Sequence, residues 1–543
     1  MEKPNTSWLP NLNSEIMYEA RGFELDAYII ALEGWRRGLT LRWHVKDDEH
    51  FKNMKTWYVD RPGKLFSLSS ETKTHYFFRT RGDVVTNEAV EIGMDKARTK
   101  ETLKKNGINV TEGKSFNVDV TIEEILSYAS QISYPVVVKP VEGSFGRDVH
   151  LNIKDDQELT IAFNKLRDNP KIDSILIERQ YNGNDHRLYV IDDQVVAAIE
   201  RIPANIVGDG ESTILELIEA KNELRKQNPR LISCLIKIDK ELKTFIKDQG
   251  FKLSSILDKG ERLYLTDKSN ISIGGDSRDV LDNLSEKVKE LSIKTIAAIS
   301  GLNHAAIDLI ISESGEATVI EINTTAQIGS LVFPMYGTPR DVPSAIIDYY
   351  FPETKNDPYK SPLFFDFYDL LEPLNNRVVT QTKVSIPLKG KIYGKRFIVS
   401  GDVLNVGYHR GLRKRAFEGK VSGYVKRRED DRIDVVVMGN DPDIINNFDQ
   451  AILSDPERSS VEEIITEEWS EPVKVGFEIK ADRKLQLLQL QQLQDENKQL
   501  DSDIQELSEK INKYHKSFSW RLTAPIRFIG LIVKVLKKLV HGK

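Results

Sequence analysis

The sequence predicts a multidomain α+β protein, and three features lead to this prediction. The chain has 543 residues, which is too long for one ordinary domain and suggests about three or four units. Apolar strand-like runs alternate with helical segments from about residue 95 to residue 352. A second alternating unit and then a heptad pattern follow. With 40% hydrophobic and 29% charged residues, the chain has enough apolar material to form cores.

The charge distribution and the termini argue against several classes of protein. The net charge of −6 argues against nucleic acid as a partner, although the last 24 residues hold six Lys/Arg and no Asp/Glu. The N-terminus lacks the pattern of a secretory signal, and no run reaches the ~18 apolar residues of a membrane span. The single cysteine, Cys234, excludes an intramolecular disulfide and is expected to be a packing residue. We therefore expect a cytoplasmic protein.

The first 90 residues predict a small α/β lobe. A helix is expected around FELDAYIIALEGWRRG, and short strands are expected at TWYVD and HYFFRT. Residues 91–352 are expected to form one α+β enzyme domain. Its strand and helix signals are YPVVVKPV, SILIERQY, HRLYVIDDQVVAAIE and EATVIEIN for strands, and TIEEILSYASQI and SEKVKELSIKTIAAISG for helices. A linker at 353–380 leads to a unit at 381–478 with the order strand, helix, strand, strand, helix, strand.

The C-terminal region has two distinct helical patterns. Residues 482–516 follow heptads, with β-branched residues at a, Leu at d and Asn497 at one a position, which favours a parallel two-stranded coiled coil and hence a homodimer. The alternative is an amphipathic helix packed on its own domain. Residues 518–543 predict a basic amphipathic helix on an anionic membrane surface, at the inner membrane face. For this helix the alternatives are a partner-binding helix and a packed C-terminus.

Three polar residues at the end of the central domain suit a divalent metal. Asp308, Glu321 and Asn323 lie on two strand segments around a Ser-Gly turn, which brings their oxygens to one edge. Hard oxygen ligands of this kind are what Mg²⁺ prefers when it bridges nucleotide phosphates. We therefore predict a site for Mg²⁺ or Mn²⁺ here.

The same domain contains residues suited to a nucleotide. Lys139 ends an apolar strand before a loop with Gly143 and Gly146, where backbone amides can approach phosphate oxygens, although any hairpin also needs such a turn. Lys96 supplies a second cation at a helix start. Further along, the backbone of Arg179 to Tyr181 is suited to an adenine edge, and the carboxylate of Asp185 is suited to ribose hydroxyls. The carboxylate of Glu178 is a further candidate for the nucleoside.

In order and spacing, these residues resemble the ATP-grasp superfamily, whose frame D-alanine–D-alanine ligases share. The likeness is closer to the central ATP-grasp domain of cyanophycin synthetases and covers residues 80–352. It rests on four segments: ERIPANIVGDGESTILELIE, NPRLISCLIKID, NISIGGDSRDV and FPMYGTPRDVPSAIIDYYFP. Two further domains of that family, one N-terminal and one Mur-ligase-like, are not visible here, so repetitive polymer synthesis is not expected.

The resemblance implies a carbon–nitrogen ligase that uses ATP and Mg²⁺. Such an enzyme activates a carboxylate as an acyl phosphate and joins it to an amine from an amino acid, peptide or amino sugar. Arg187 and Arg201 are candidates to bind the phosphoryl group or the substrate carboxylate, because a guanidinium matches both bidentately. A surface or inter-strand ion pair is the equally weighted alternative. A nucleotide-binding scaffold without ligase activity is the rival function.

The unit at 381–478 resembles an acylphosphatase, a ferredoxin-like α/β sandwich, with both catalytic positions changed. His409 stands in the place of the phosphate-binding arginine, with Arg410 one residue late, and Arg427 replaces the asparagine that orients the attacking water. We therefore expect hydrolysis to be lost and the loop to bind an anion or act as a scaffold. The run SWRLTAP after the coil looks like the ends of bacterial polysaccharide-assembly enzymes, which suggests modification of a cell-surface polymer precursor.

Overall fold

The computed structural model describes residues 3–5, 8–9, 12, 16–141, 148–356, 360–388, 390–455 and 457–480, and five residues of one helix between 497 and 508. The chain divides into two compact units. The first contains Met1–Gly394 with Met438–Ile445 and Trp469–Gly476, and the second contains Lys395–Val437, Asn446–Glu468 and the chain from Phe477 onward.

The first unit begins with a lobe built around one central helix. Twelve of the fourteen residues of this helix are buried, which explains why its sequence is apolar on nearly every side. Its helix and strands are α1 (Phe23–Arg36), β1 (Thr40–His44), β2 (Leu65–Ser69), β3 (Thr74–Phe78) and β4 (Arg81–Gly82). The strand expected at residues 56–60 is absent from the structure. Trp57 instead packs from a loop onto Phe78, with ring centroids 4.9 Å apart, because burying the apolar side chain does not require a strand.

A four-stranded sheet with two helices packed on it follows. Its elements are α2 (Asn87–Met94), α3 (Lys96–Lys105), β5 (Gly113–Asn117), α4 (Ile122–Ile132), β6 (Val136–Pro140), β7 (His150–Ile153), α5 (Asp156–Arg167) and β8 (Ser174–Arg179). The strand order is β5-β8-β6-β7, so β8 is paired on both sides. Asp95 caps α3 by accepting hydrogen bonds from the amides of Ala97 and Arg98 at 2.9 and 3.0 Å. This cap fixes the start of the helix that carries Lys96.

The second sheet of this unit contains the predicted metal residues. The elements in this part of the chain are β9 (Asn184–Ile191), β10 (Gln194–Ile202), β11 (Asn205–Val207), α6 (Ile214–Gln227), α7 (Lys240–Asp248), β12 (Arg262–Tyr264), β13 (Asp276–Asp279), α8 (Glu286–Ala297), β14 (His304–Ile311), β15 (Ala317–Asn323), α9 (Gly329–Val332) and α10 (Val342–Tyr350). The order β13-β10-β9-β14-β15 makes β9 and β14 central. The run HRLYVIDDQVVAAIE is a hairpin, because Asp192 turns the chain with a φ of 52°.

The segment just before β5 makes a backbone contact with β15 near the metal residues. Val319 on β15 donates to the carbonyl of Asn109 at 3.0 Å, and its own carbonyl accepts from Thr111 at 3.2 Å. The large core beside this contact includes Val90 and Leu103 from the helices and Leu188 and Ile307 from the strands. Two last elements, α11 (Phe367–Asn375) and β16 (Gln381–Lys383), return the chain to the first lobe, where β16 pairs with β1.

The second unit is a five-stranded sheet with helices. Its elements are β17 (Tyr393–Asp402), α12 (Val406–Glu418), β18 (Ser422–Arg427), β19 (Ile433–Gly439), α14 (Phe448–Leu453), β20 (Ser460–Glu468) and β21 (Phe477–Lys480). The short helix α13 (Pro442–Asn446), between β19 and α14 in the chain, falls almost entirely within the residues assigned to the first unit. The strand order is β20-β17-β19-β18-β21. Apart from a divided second helix and an additional strand, this is the order of elements that the sequence predicts.

The predicted coiled coil and basic tail lie mostly outside the described residues. The five described residues are helical and exposed, and they include Leu500, Ile504 and Leu507, which are 57, 59 and 57% exposed. The segment 518–543 is outside the described chain altogether. Within the part of the chain that the structure describes, no helix is long and apolar enough to cross a membrane.

Candidate active site

The three predicted metal residues converge where the middle of β14 pairs with the end of β15. Asp308 lies directly opposite Glu321 in the register of the two strands, and Asn323 follows two residues later on the same face. The side-chain amide of Asn323 donates to Asp308 at 3.3 Å and to Glu321 at 3.2 Å. The amide therefore bridges two carboxylates, as a bound cation also would. Among the described residues no cluster of three or more Asp, Glu, His or Cys is arranged for a metal, so these two carboxylates and one amide are the candidate set.

Two arginines hold the carboxylate of Asp308. Arg187 lies opposite Asp308 on β9 and donates to both of its oxygens at 2.8 Å, while Arg201 on β10 approaches to 3.1 Å. Burial by itself raises the pKa of Asp308, but the two guanidinium groups outweigh it and hold that pKa below its usual range. In this structure both arginines form inter-strand ion pairs. Ion pairing of this kind was the alternative, in the sequence analysis, to binding the phosphoryl group or the substrate carboxylate.

Asp185 belongs to the same charged cluster. It lies two residues before Arg187 on β9, and Arg201 donates to its carboxylate at 2.7 Å. Burial raises the pKa of Asp185 to about 6, and Arg201 only partly opposes this increase. The carboxylate predicted to hold ribose hydroxyls is thus engaged by an arginine beside the metal residues.

The second charged cluster contains two lysines around one carboxylate. Glu178 is 3% exposed and forms ion pairs with Lys139 and Lys100, and the hydroxyl of Thr111 donates to it at 2.8 Å. Burial lowers the pKa of Lys139 to about 8, with the carboxylate of Glu321 opposing this effect. Burial and then Lys139 lower the pKa of Lys100 to about 6. The carboxylate of Glu178 therefore contacts lysines, which corrects the expectation that it is open to a nucleoside.

Lys100 is a site residue that the sequence analysis missed. It lies one helical turn after Lys96 on α3, and this spacing of four residues places both on the same side of the helix. Lys96 donates to the carbonyl of Val141 at 3.0 Å. Val141 immediately precedes residues 142–147, which lie outside the described chain together with Gly143 and Gly146. Lys96 is thus positioned at the start of the predicted phosphate loop.

The predicted adenine-binding segment has fewer available amides than expected. The amide of Arg179 donates to the carbonyl of Glu112 at 2.9 Å, and that of Gln180 donates to Pro135 at 3.0 Å. These bonds continue the pairing of β8 with both of its neighbouring strands, so a nucleotide would have to compete with the sheet for these two amides. Tyr181 uses its hydroxyl to accept from Glu112 at 3.3 Å. Adenine recognition through the amides of Arg179 and Gln180 is therefore not supported by the contacts.

In the second unit, the altered acylphosphatase positions contact the protein itself. The ring of His409 is buried and its Nε2 bonds the carbonyl of Val403 at 2.9 Å, inside the loop that precedes α12. Burial lowers the pKa of His409. Arg410 is exposed on α12, and Arg427 donates to Asp431 at 2.6 Å. None of these contacts directs a cation or an amide at the loop in the way that phosphate hydrolysis would require.

Comparison with known families gives two matches, one in each unit. Residues 93–216 match the RimK-like ATP-grasp domain, and residues 395–479 match the acylphosphatase family. These matches confirm both of the resemblances that the motifs predict.

Curated relatives match about half of the chain or slightly more. The cyanophycin synthetase of Synechocystis sp. is 34% identical over 271 residues, which is 48% of this chain and 31% of that protein. The glutathione biosynthesis bifunctional protein GshAB of Clostridium perfringens is 30% identical over 344 residues, covering 60% of this chain and 41% of that protein. The chain thus spans about a third to two fifths of the length of these relatives.

Solved structures give a more distant likeness. A bifunctional glutathione synthetase from Pasteurella multocida has 24% identity and a TM-score of 0.41, over 53% of this chain and 40% of that one. The sequence matches therefore identify a chain with a RimK-like ATP-grasp region similar to that of cyanophycin synthetases, followed by an acylphosphatase-like region.

Proposed function

We propose that this chain is an ATP- and Mg²⁺-dependent ligase that joins a carboxylate to an amine through an acyl phosphate. The observation that carries the proposal is the convergence of Asp308, Glu321 and Asn323 at one sheet edge, with the lysines close enough for Glu321 to affect the pKa of Lys139. A phosphate-binding cation set and a metal-binding oxygen set in one cleft are what phosphoryl transfer from ATP needs. The similarity to ATP-grasp proteins over residues 93–216 supports the same reaction.

The ATP phosphates are assigned to the lysines of the first unit. Lys96 and Lys139 supply the positive charge that a triphosphate requires at the start of the glycine loop, and Lys100 lies beside them. Lys139 and Lys100 both pair with Glu178 before nucleotide arrives, while burial lowers the pKa of Lys139 to about 8 and that of Lys100 to about 6. The loop with Gly143 and Gly146 and the ribose contact of Asp185 remain proposals from the sequence.

Mg²⁺ is assigned to Asp308, Glu321 and Asn323, whose chemistry fits this ion. The N–H group of Asn323 now lies between two carboxylates, and rotation of its amide would present an oxygen there instead. When bound, the metal would neutralise charge on the ATP phosphates. Because Asp308 already has two cationic partners, we infer that Arg187 and Arg201 release it when metal and nucleotide bind.

Those two arginines are then free for the reacting groups. A carboxylate oxygen attacks the γ-phosphorus, ADP leaves, and the acyl phosphate forms. The amine then attacks the acyl carbon, phosphate leaves, and the amine nitrogen loses a proton. Arg187 and Arg201 would bind the phosphoryl oxygens during both steps, since guanidinium matches an oxyanion bidentately.

A second candidate function is a nucleotide-binding scaffold that does not turn over ATP. The ion pairs of Asp308 with Arg187 and Arg201 favour it, because they occupy a proposed metal ligand on both of its oxygens. A residual acylphosphatase activity is disfavoured by the internal bond of His409. The two main candidates differ in whether ADP is released.

The sequence also supports a proposal about location and assembly. The exposed side chains of Leu500, Ile504 and Leu507 have the a and d spacing of a coiled coil and would be covered in a homodimer. We further propose that the basic tail attaches the protein to the inner face of the membrane, where the amine acceptor is a surface-polymer precursor. The substrates themselves remain open among amino acids, peptides and amino sugars.

The test is ADP release with Mg-ATP across a panel of amino acids, dipeptides and amino sugars, with mass detection of any new amide. Amide formed in step with ADP supports the ligase. Glu321→Gln should abolish both products, whereas Glu313→Gln, an exposed change on the adjoining turn, should leave them unchanged. ATP binding without turnover on any pair favours the scaffold, and unchanged turnover in Glu321→Gln removes the metal role from this residue.

A further inference from the structure

A buried arginine, Arg230, has no carboxylate partner among the residues that the structure describes. Arg230 is 4% exposed, and within the described chain no Asp or Glu lies within ion-pair distance of it. Its Nη1 contacts the sulfur of Cys234 at 2.7 Å, and its Nη2 donates to Gln327 at 2.8 Å. Its Nε is buried without a hydrogen-bond partner. A buried cation with neutral neighbours only is costly unless an anion joins it.

The protein holds this arginine rigidly in place. The amide of Arg230 donates to the side chain of Asn228 at 2.9 Å, and Asn228 itself donates to the carbonyl of Phe333 at 3.0 Å. The stem of Arg230 packs on Gly329, where an added Cβ would lie 2.7 Å from its Cδ. A side chain fixed in this way is preorganised for a ligand rather than free to reach solvent.

The arginine faces the segment that continues from the metal residues. Gln327 lies four residues after Asn323, and both Gln327 and Ser272, the latter 3.4 Å from Nη2, are half-buried. In the same segment the hydroxyl of Thr325 is buried without a partner. Within the described chain, the Nε of Arg230 and the hydroxyl of Thr325 are thus two buried polar groups without a hydrogen-bond partner.

We propose that Arg230, with Gln327 and Ser272, binds a substrate carboxylate that is not the one activated. At least one substrate is then an amino acid or peptide that enters with a free carboxylate. Simple amines and amino sugars, which lack a carboxylate, are therefore excluded as the substrate that binds at Arg230. This inference rests on the proposed ligase function. The nucleotide phosphates are assigned to the lysines and the reacting group to Arg187 and Arg201, so a further carboxylate remains as the anion for Arg230.

The test introduces a carboxylate side chain next to Arg230. Gln327→Glu gives Arg230 an internal carboxylate, so the folded protein should be at least as stable while binding of the external carboxylate is lost. Gln227→Glu, an exposed change that adds the same charge nearby, is the matched control. Each protein, loaded with Mg²⁺ and the non-hydrolysable analogue AMPPNP, is titrated calorimetrically with amino acids and dipeptides as free acids and as C-terminal amides.

The expected result is a preference of about tenfold or more for free acids in the wild type and in Gln227→Glu, which is the effect of one charged hydrogen bond. This preference should disappear in Gln327→Glu while the affinity for the nucleotide stays the same. Equal binding of acids and amides by the wild type, or an unchanged preference in Gln327→Glu, overturns the inference. So does an equal loss of nucleotide affinity, which would assign Arg230 to the phosphates.

The carboxylate bound by Arg230 belongs either to the activated substrate or to the amine acceptor, and hydroxylamine distinguishes these two cases. It traps the acyl phosphate as a hydroxamate without an acceptor, so Gln327→Glu lowers hydroxamate formation only if the second carboxylate belongs to the activated substrate. If it belongs to the acceptor, hydroxamate formation is unchanged and only amide formation falls. An acid preference that disappears in Gln327→Glu, in a protein that never releases ADP, would retain this inference and reject the ligase.

Discussion

Replacing Asp308 by Asn tests the idea that the two arginines depend on this carboxylate. Asp308 is 1% exposed, and both arginine side chains are 15% exposed. Asn keeps the size of the side chain and removes its charge. Arg201 keeps Asp185 as a partner, whereas Arg187 loses the one carboxylate with which the described structure pairs it. Removing one partner of a buried pair costs about 3–5 kcal/mol, so we expect a loss near the lower limit, about 3 kcal/mol.

Urea unfolding monitored by tryptophan fluorescence measures this loss. Trp35 and Trp43 are buried in the first unit and report on its unfolding. Asp282→Asn, which removes an exposed partner of Arg340, is the control and should leave the midpoint unchanged. Arg187→Met combined with Asp308→Asn should recover part of the lost stability, because no unpaired guanidinium remains. A single Asp308→Asn variant as stable as the wild type would refute this account of the ion pairs.

Three further outcomes are expected. Because the pKa of Lys139 is lowered to about 8, its charge is present below pH 8 and lost as the pH rises through it, so ATP should bind up to about tenfold more weakly at pH 9 than at pH 7. Lys139→Arg should remove this dependence in calorimetric titrations. Truncation after Lys480 should convert a dimer to a monomer in sedimentation equilibrium, and an unchanged mass would exclude the coiled coil. Deletion of residues 518–543 should abolish cosedimentation with vesicles of anionic but not neutral lipid, and retained binding would exclude the tail as the membrane contact.

The elements predicted most accurately from the sequence are those whose apolar pattern is local. The helices around residues 23–36 and 286–297 and the strand pair at Asp308 and Glu321 lie where their patterns indicate. TWYVD is wrong as a strand, because the same apolar residues can be buried from a loop when neighbouring strands already form the sheet. A pattern of side chains reports burial, and it does not report which backbone groups are paired.

The candidate site shows the same difference between what the sequence predicts and what the tertiary structure decides. The types and spacing of Lys139, Asp308, Glu321 and Asn323 predict a phosphate-binding ammonium group and a set of metal-binding oxygens, since strand and turn geometry brings residues at these spacings together. Which groups neutralise one another was decided only by the tertiary structure. Glu178 is paired with lysines rather than open to a nucleoside, and Arg230 is buried with no carboxylate partner among the described residues. Charge pairing of this kind depends on distances between segments far apart in the chain.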